Sequence, residues 1–198
     1  AGATVALSDG VVRAEHPNRI IYVNDPPNRD LVLSAELPQA LDGASLNEDE
    51  LQSYLGRRID LLDVDDVVTA LAEFAPYAIA PTVVVHTKYW SLAQGERASD
   101  FAAALAGGVD LASTRYCHGD DFTAADLAGI RGGPVHPGGL AFAAGIGERL
   151  GSRVACVPGR LLDVPSPTTI GLGDTFVGGF LATLVHGPLG LGSSAENA

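Results

Sequence analysis

The chain has 198 residues, of which 46% are hydrophobic and only 6% aromatic, and 24 are glycine. This composition is typical of an α/β protein that is large enough to bury a core. The net charge of −12 argues against nucleic acid or an anionic membrane as a partner. No apolar run is long enough to cross a bilayer, and the two cysteines show neither metal-ligand spacing nor a disulfide framework, so we expect a cytoplasmic protein.

Two further features of the composition concern the origin of the chain. Only one of the twelve basic residues is a lysine, Lys88. An acidic surface with so little lysine is what we expect of a halophilic archaeal protein, because high salt screens the repulsion between like charges. An acidic protein from a GC-rich genome would show the same bias. The sequence contains no methionine, so we expect it to be processed, truncated or only part of a longer protein.

The N-terminal residues predict a small β-rich unit. Three short β-like runs, ATVALS, NRIIYVND and RDLVLS, are separated by turn residues in H-P-N and D-P-P-N. Because little helix accompanies these runs, we expect them to form part of a small sheet outside the α/β core. We therefore divide the chain into residues 1–40 and an α/β domain over residues 41–198.

Residues 45–51, SLNEDEL, predict the start of a helix that runs to Leu55. Either Ser45 or Asn47 can cap this helix, and acidic residues fill its first turn. The apolar spacing of DVDDVVTALAEF predicts a second helix within residues 61–74. The residues that precede Asn47, ALDGA, are not expected to form a core strand.

A valine run over residues 83–85 predicts a buried parallel strand, because it offers no polar side to solvent. His86, Thr87 and Lys88 follow at its carboxyl end, which is where open α/β sheets bind their ligands. A lysine that is simply solvated is the alternative explanation for Lys88. The pattern therefore indicates one edge of the sheet as a candidate ligand site.

The second half of the chain continues the alternation of helices and strands. The pattern predicts two short helices, one over residues 101–105 and one that begins after Thr123. It then predicts a glycine-rich loop over residues 134–139, a helix over residues 140–150 and a strand within residues 152–159. His118 and His136 are isolated and are assigned no role. Alternating elements from residue 45 to residue 184 predict an α/β fold with a mainly parallel sheet.

Gly171, Leu172, Gly173 and Asp174 open a predicted helix that continues from Thr175. Glycine has no Cβ, so its N–H group can approach a ligand closely, and the unpaired N–H groups at a helix start attract anions. A carboxylate there can accept a hydroxyl proton while the amides stabilise a transferred phosphoryl group. The alternative is an ordinary turn in which Asp174 caps the helix.

The segment TTIGLGDTFVGGF, with NEDE and VVVHTKY, resembles the ADP-dependent glucokinases and phosphofructokinases, a family of ribokinase-like sugar kinases. A bulky residue such as Leu172 commonly separates the two glycines in that family. The resemblance implies a ribokinase-like α/β fold and makes residues 1–40 part of a β-rich lid. The family's chains are longer and their N-x-x-E element follows a core strand, so we expect sequence to be missing before residue 1 and between residues 41 and 45.

The resemblance also implies roles for individual residues. Asp174 corresponds to the catalytic base, and Gly171, Leu172 and Gly173 correspond to the anion hole that surrounds the transferred group. Asn47 and Glu50 match the N-x-x-E element, which acts on Mg²⁺, often through water. One carboxylate and one amide are sufficient for Mg²⁺ because this ion retains several waters.

Nucleotide binding is implied for six residues. Arg19, His86, Thr87 and Lys88 are expected beside the phosphates, and Val157 and Ile170 are expected as apolar walls beside the adenine. A guanidinium matches the geometry of phosphate oxygens, although Arg19 could instead be a surface residue on an exposed strand.

Together these expectations describe an ADP-dependent sugar kinase that transfers the β-phosphoryl group of ADP to a hexose or hexose phosphate and releases AMP. Fructose 6-phosphate is slightly favoured over glucose as the acceptor. An ATP-dependent ribokinase-like kinase, a non-catalytic nucleotide-binding remnant and a flavodoxin-like binding module remain as alternatives. No nucleic acid, membrane or obligate protein partner is expected.

Overall fold

A computed structural model describes residues 4–8, 11–15, 22–24, 43–78 and 80–187 of the chain. The strands in that part are β1 Thr4–Ser8, β2 Val11–Glu15, β3 Tyr22–Asn24, β4 Gly43–Asn47, β5 Thr82–His86, β6 Trp90–Gly95 and β7 Val154–Pro158. The α-helices are α1 Glu48–Leu55, α2 Val64–Phe74, α3 Ala102–His118, α4 Ala124–Gly132, α5 Pro137–Leu150 and α6 Leu172–His186.

Five strands form one mixed sheet in the order β3-β4-β5-β6-β7. The first three are parallel to one another, and β6 runs antiparallel to both of its neighbours. Strands β1 and β2 form a separate antiparallel pair. The α/β class is confirmed, but the sheet is less uniformly parallel than expected because β6 reverses direction through a short turn after β5.

Strand β4 corrects one expectation, because the residues before Asn47 were not expected to form a core strand. The segment lies inside the sheet, where Ala44 pairs with Val23 of β3 and with Val83 of β5. Small residues with weak β-propensity adopt this conformation because strands on both sides supply the hydrogen bonds. The N-x-x-E element therefore does follow a core strand, and the expected gap at residues 41–45 loses that support.

The sheet has a hydrophobic cluster on each face. On one face Val84 and Ala93 pack against α3 and α6. On the other face Val83 and Val85 pack against α1, α2 and α5. Alternate residues of each strand point to opposite faces, so both sides of the sheet are covered and the edges of the sheet carry the openings into the fold.

Helix α3 is longer than expected. The sequence predicts a short helix over residues 101–105, whereas the structure has one continuous helix to His118. Gly107 and Gly108 sit inside it because α6 packs directly against them. A Cβ on Gly107 would lie 1.9 Å from Thr183 Oγ1, and one on Gly108 would lie 2.6 Å from the ring of Phe176. The glycines therefore allow close helix packing and do not end the helix.

Two other element starts differ from the sequence-based expectation. Helix α5 begins at Pro137, inside the loop predicted over residues 134–139, because proline suits the first helical position. His136 caps it, accepting the Gly139 N–H at Nδ1 over 3.1 Å. Strand β6 was not predicted, since SLAQG lacks the β-branched residues that favour strands.

Several predicted elements are confirmed. Helix α2 lies within residues 61–74, and Thr123 caps α4, accepting the Asp126 N–H at its hydroxyl oxygen. Strand β3 falls within residues 1–40 yet pairs with β4, so the division at residue 40 stays a prediction. The run RDLVLS and Arg19 lie outside the described residues.

Among the described residues, no helix combines the length and the apolar character needed to cross a bilayer. Cys117 and Cys156 are both free. Burial raises the pKa of the Cys156 thiol to about 12, so this side chain behaves as a small apolar group.

Candidate functional site

A cleft of about 600 Å³ opens at one edge of the sheet. Its wall includes the carboxyl ends of β4 and β5, the residues that follow β7, the start of α1, the middle of α3 and the start of α6. Strands β5 and β7 both run antiparallel to β6, so their carboxyl ends lie at the same edge. Ligands of open α/β sheets bind at this edge.

The cleft brings together residues that the sequence singled out in three distant segments. Those in its wall are Asn47, His86, Thr87, Lys88, Leu172 and Gly173. Glu50, Gly171 and Asp174 are neighbours of these residues in the chain but do not themselves form part of the wall.

The start of α1 is held by a capping box. Asn47 Oδ1 accepts hydrogen bonds from the N–H groups of Asp49 and Glu50 at 2.9 and 3.0 Å. In return, the Asn47 N–H donates to Glu50 Oε2 at 2.7 Å. This confirms Asn47 as the helix cap. It also fixes the position of both side chains of the N-x-x-E element beside the cleft.

The oxygen ligands that this corner can offer Mg²⁺ are carboxylates. Both lone pairs of Asn47 Oδ1 accept the capping N–H groups, whereas Glu48 and Asp49, which flank Glu50 in the first turn of α1, lie in the cleft wall. A carboxylate has more acceptor sites than the capping bond uses. In the described part of the chain no three acidic, histidine or cysteine side chains are grouped as a metal cage. The corner therefore fits an ion that takes one or two protein oxygens and keeps its waters.

Glu48 was not singled out from the sequence. Burial raises the pKa of its carboxyl group, while its own backbone N–H and that of Lys88 act in the opposite direction. The sequence could have indicated Glu48 by its position directly after Asn47. The first helical residue after a strand lies at the carboxyl edge of the sheet, where the cleft opens.

The turn between β5 and β6 is built around Thr87. Its hydroxyl oxygen accepts the N–H groups of Tyr89 and Trp90, both at 3.1 Å, and donates to the Trp90 carbonyl at 2.9 Å. The hydroxyl therefore stabilises the turn that presents the following residue. Lys88 is exposed there, with Nζ 4.7 Å from the centre of the Tyr89 ring.

His86 connects the end of β5 with the start of α6. Its imidazole stacks on the ring of Phe176, with centroids 4.4 Å apart and planes inclined by 20°. A Cβ on Gly173 would lie 3.7 Å from His86 Cε1. Burial lowers the pKa of this imidazole to about 4. The ring is therefore neutral at pH 7 and lies beside the first amides of α6.

Helix α6 begins earlier than expected, at Leu172, and Gly171 is its cap, in the left-handed conformation with φ of 74°. The Gly171 carbonyl accepts the Thr175 N–H at 3.0 Å and the Thr175 hydroxyl at 2.8 Å. Asp174 is an exposed residue of the first turn and makes no capping bond, so the alternative in which it caps the helix is wrong. Glycine suits the left-handed position.

Sequence reasoning missed a buried ionic cluster beside the cleft. Arg160, which lies in the wall, donates from Nε and Nη2 to Asp110 Oδ1 at 3.0 and 2.6 Å. Arg131 Nε donates to Asp110 Oδ2 at 3.0 Å. Only 4% of the Asp110 side chain is exposed. The partners of this carboxylate lie on separate elements, so the sequence offered no local signal for the cluster.

The two residues expected beside the adenine lie outside the cleft wall. Val157 packs against the hydrophobic cluster on the α3 and α6 face of the sheet, and the Ile170 side chain is 85% exposed. Neither forms part of the cleft wall. Their contact with a nucleotide stays a prediction.

No family model matches the sequence, and no curated protein matches it. Solved structures do match. A phosphofructokinase from Pyrococcus horikoshii with AMP has a TM-score of 0.59 and 24% identity, over 83% of this chain and 42% of that one. The last common ancestor of the ADP-dependent phosphofructokinases from Methanosarcinales has a TM-score of 0.61 and 17% identity, over 84% and 42%. An ADP-dependent kinase in complex with fructose 6-phosphate and ADPβS has a TM-score of 0.61 and 17% identity, over 84% of this chain and 44% of that one.

The mixed sheet and its flanking helices have the ribokinase-like fold. Within that class, the chain has the fold of the ADP-dependent phosphofructokinases. The predicted resemblance is thereby confirmed at the level of the fold. The chain spans less than half the length of these structures, between 42% and 44%.

Proposed function

We propose that this chain is part of an ADP-dependent sugar kinase, which transfers the β-phosphoryl group of ADP to a hexose or hexose phosphate and releases AMP. The observation that carries the proposal is the meeting of the α1 cap, the end of β5 and the first turn of α6 at one cleft. Structural neighbours that hold AMP, ADPβS or fructose 6-phosphate support it.

In this proposal the first turn of α6 receives the phosphoryl group during transfer. The backbone N–H groups of Gly171, Leu172, Gly173 and Asp174 have no acceptor within the helix, as at every helix start. They stabilise the charge that develops on the phosphoryl oxygens. Asp174, exposed on the same turn, accepts the proton of the attacking sugar hydroxyl.

The other walls bind the donor. Asn47 and Glu50 would position Mg²⁺, Asn47 by holding Glu50 in the capping box and Glu50 through water, and the ion would neutralise charge on the phosphate oxygens. Lys88, on the exposed turn after β5, places a positive charge at the mouth of the cleft. Arg19 lies outside the described residues, and by the resemblance it contacts the phosphates of the nucleotide. Because the chain as a whole is strongly acidic, these local cations give the cleft its attraction for an anionic nucleotide.

Fructose 6-phosphate is the acceptor we favour over glucose. Two of the neighbours are phosphofructokinases, and a third, an ADP-dependent kinase, is in complex with that sugar phosphate. Phosphoryl transfer is the reaction that an anion-binding helix start, an adjacent carboxylate and an oxygen-lined metal corner serve together.

The test is a transfer assay in molar salt with Mg²⁺, offering ADP or ATP with fructose 6-phosphate or glucose. We expect AMP to form from ADP and fructose 6-phosphate, and we expect Asp174→Asn to abolish it. Asp163→Asn, at an exposed aspartate in the loop before α6, is the matched control and should keep full activity.

The other outcomes are equally informative. Turnover with ATP alone would assign the protein to the ATP-dependent ribokinase-like kinases. Nucleotide binding without turnover for any pair would favour a non-catalytic remnant. Full activity in Asp174→Asn would remove this aspartate from the reaction.

A further inference from the structure

Arg115 connects the last turn of α3 to the loop that enters α6. Its Nη1 donates a hydrogen bond to the Ile170 carbonyl, and its Nε donates to Asp120 Oδ1 at 2.7 Å. Only 19% of the Arg115 side chain is exposed, against 78% for that of Asp120. The guanidinium therefore lies beneath the loop, with its outer side held by a carboxylate at the surface.

Gly171 is packed against the same guanidinium. A Cβ at this position would lie 2.8 Å from Arg115 Nη1, and the φ angle of 74° is one that only glycine adopts readily. A second bond ties the loop to α3 nearby, since the Thr168 N–H donates to the Tyr116 carbonyl at 3.0 Å. The segment before α6 is thus attached to α3 at two points.

These bonds set the orientation of the peptide groups around Gly171. The Ile170 carbonyl and the Gly171 N–H belong to one planar trans peptide, so they point in opposite directions. Holding that carbonyl on Arg115 fixes the direction of the N–H. The next carbonyl, that of Gly171, is fixed by Thr175. Both peptides that flank the glycine are therefore oriented by protein contacts alone.

Amides stabilise a developing charge best when they are oriented before the reaction begins. Amides that are already aimed at the developing charge cost no reorganisation when the reaction occurs. The guanidinium also pairs with the Ile170 carbonyl oxygen, whose partial negative charge would otherwise lie free next to the phosphate-binding turn. We propose that Arg115 is a positioning residue for the α6 anion-binding turn, an inference that rests on the proposed function of that turn.

The kinetic test compares three variants of the chain with ADP, Mg²⁺ and fructose 6-phosphate. Arg115→Met keeps the aliphatic stem and removes every donor, and Arg115→Lys restores one donor. Asp120→Asn removes the charged partner and keeps the bond to Ile170. We expect Arg115→Met to lower kcat by about 10- to 100-fold with KM nearly unchanged, because the amides act on the transition state. Arg115→Lys should recover part of the loss, and Asp120→Asn should stay within about 2-fold of wild type.

An NMR experiment gives a readout that does not need turnover. In a ¹⁵N-glycine spectrum without ligand, Arg115→Met should shift the amides of Gly171 and Gly173 and leave Gly147 and Gly178 in place. The two control glycines have open space around them and lie away from the turn. Unchanged thermal unfolding would show that the variant is folded.

The two experiments separate the two claims. An unmoved Gly171 amide, or an unchanged kcat in an active protein, would overturn the role of Arg115. If wild type transfers no phosphoryl group from any donor while the Gly171 and Gly173 amides still shift, the proposed function fails and Arg115 remains the residue that orients this turn.

Discussion

The imidazole of His86 stacks on the ring of Phe176, with the two centroids 4.4 Å apart. One residue ends a central strand and the other lies in the second turn of α6. The contact therefore sets the distance between two walls of the cleft. It also shields part of the imidazole from water, which favours the neutral ring.

Stability should depend on pH through His86. Burial lowers its pKa from 6.5 to about 4, so between these values the unfolded chain binds a proton that the folded chain does not. The contribution of the neutral His86 to the free energy of unfolding is complete above pH 6.5 and is lost as the pH falls toward 4. This loss amounts to at most about 3 kcal/mol. Urea unfolding at pH 7 and pH 4.5 measures it.

His86→Gln should show a smaller loss of stability between these two pH values than wild type, since the carboxylates titrate in both proteins. His186→Gln, at an exposed residue in the last turn of α6, should retain the wild-type dependence. Equal pH dependence in all three proteins would contradict the assignment.

Two adjacent glycines of α6 should respond in opposite directions to alanine. A Cβ on Gly179 would lie 2.5 Å from the Gly107 carbonyl oxygen, whereas one on Gly178 meets nothing within 4 Å. Gly179→Ala should lower the free energy of unfolding by about 1–3 kcal/mol through overpacking. Gly178→Ala should raise it by about 0.5–1 kcal/mol, because alanine favours helix. Denaturant unfolding of both variants measures the two changes in the free energy of unfolding. Two changes of the same sign would contradict the close packing of Gly179 against α3.

The capping box of α1 should contribute to stability independently of any metal. Asn47→Ala removes the acceptor for two N–H groups and should cost about 1 kcal/mol. Thr123→Ala in the capping box of α4, away from the cleft, should cost a similar amount and serves as the control for the cap alone. We expect both variants to lose about the same stability. Only Asn47→Ala should also raise the Mg²⁺ concentration needed for half-maximal phosphoryl transfer.

The buried carboxylate of Asp110 should be far more important than an exposed one. It pairs with Arg131 and Arg160, so Asp110→Asn removes the charge that faces the largely buried Arg160 guanidinium and should cost about 3–5 kcal/mol. Asp100→Asn breaks an exposed pair with Arg97 and should cost about 0–1 kcal/mol. Thermal and urea unfolding compare the two, and equal losses would show that burial adds nothing to this pair.

Local patterns predicted those elements whose cause is local. The apolar spacing of Val67, Leu71 and Phe74 and the hydroxyl of Thr123 were sufficient for two helices, because period and cap lie within the segment itself. Strands β4 and β6 escaped prediction since neither has strong β-propensity. Their conformation comes from strands on both sides, which a local pattern does not show.

The site divides in the same way. Asn47, His86 and Gly173 were found because each stands at the end of a strand or the start of a helix. Arg115 and Arg160 were missed because their partners lie 55 and 50 positions away along the chain. Residues of that kind carry no signal in a single sequence.

The direct contact between α3 and α6 has a consequence for motion. Where Gly179 meets the Gly107 carbonyl, no layer of side chains separates the helices, so sliding one along the other would drive backbone into backbone. The amides at the start of α6 and the wall from α3 therefore move as one rigid body. Any closure of the cleft around a ligand therefore has to leave this pair of helices in place and bring other parts of the protein against it.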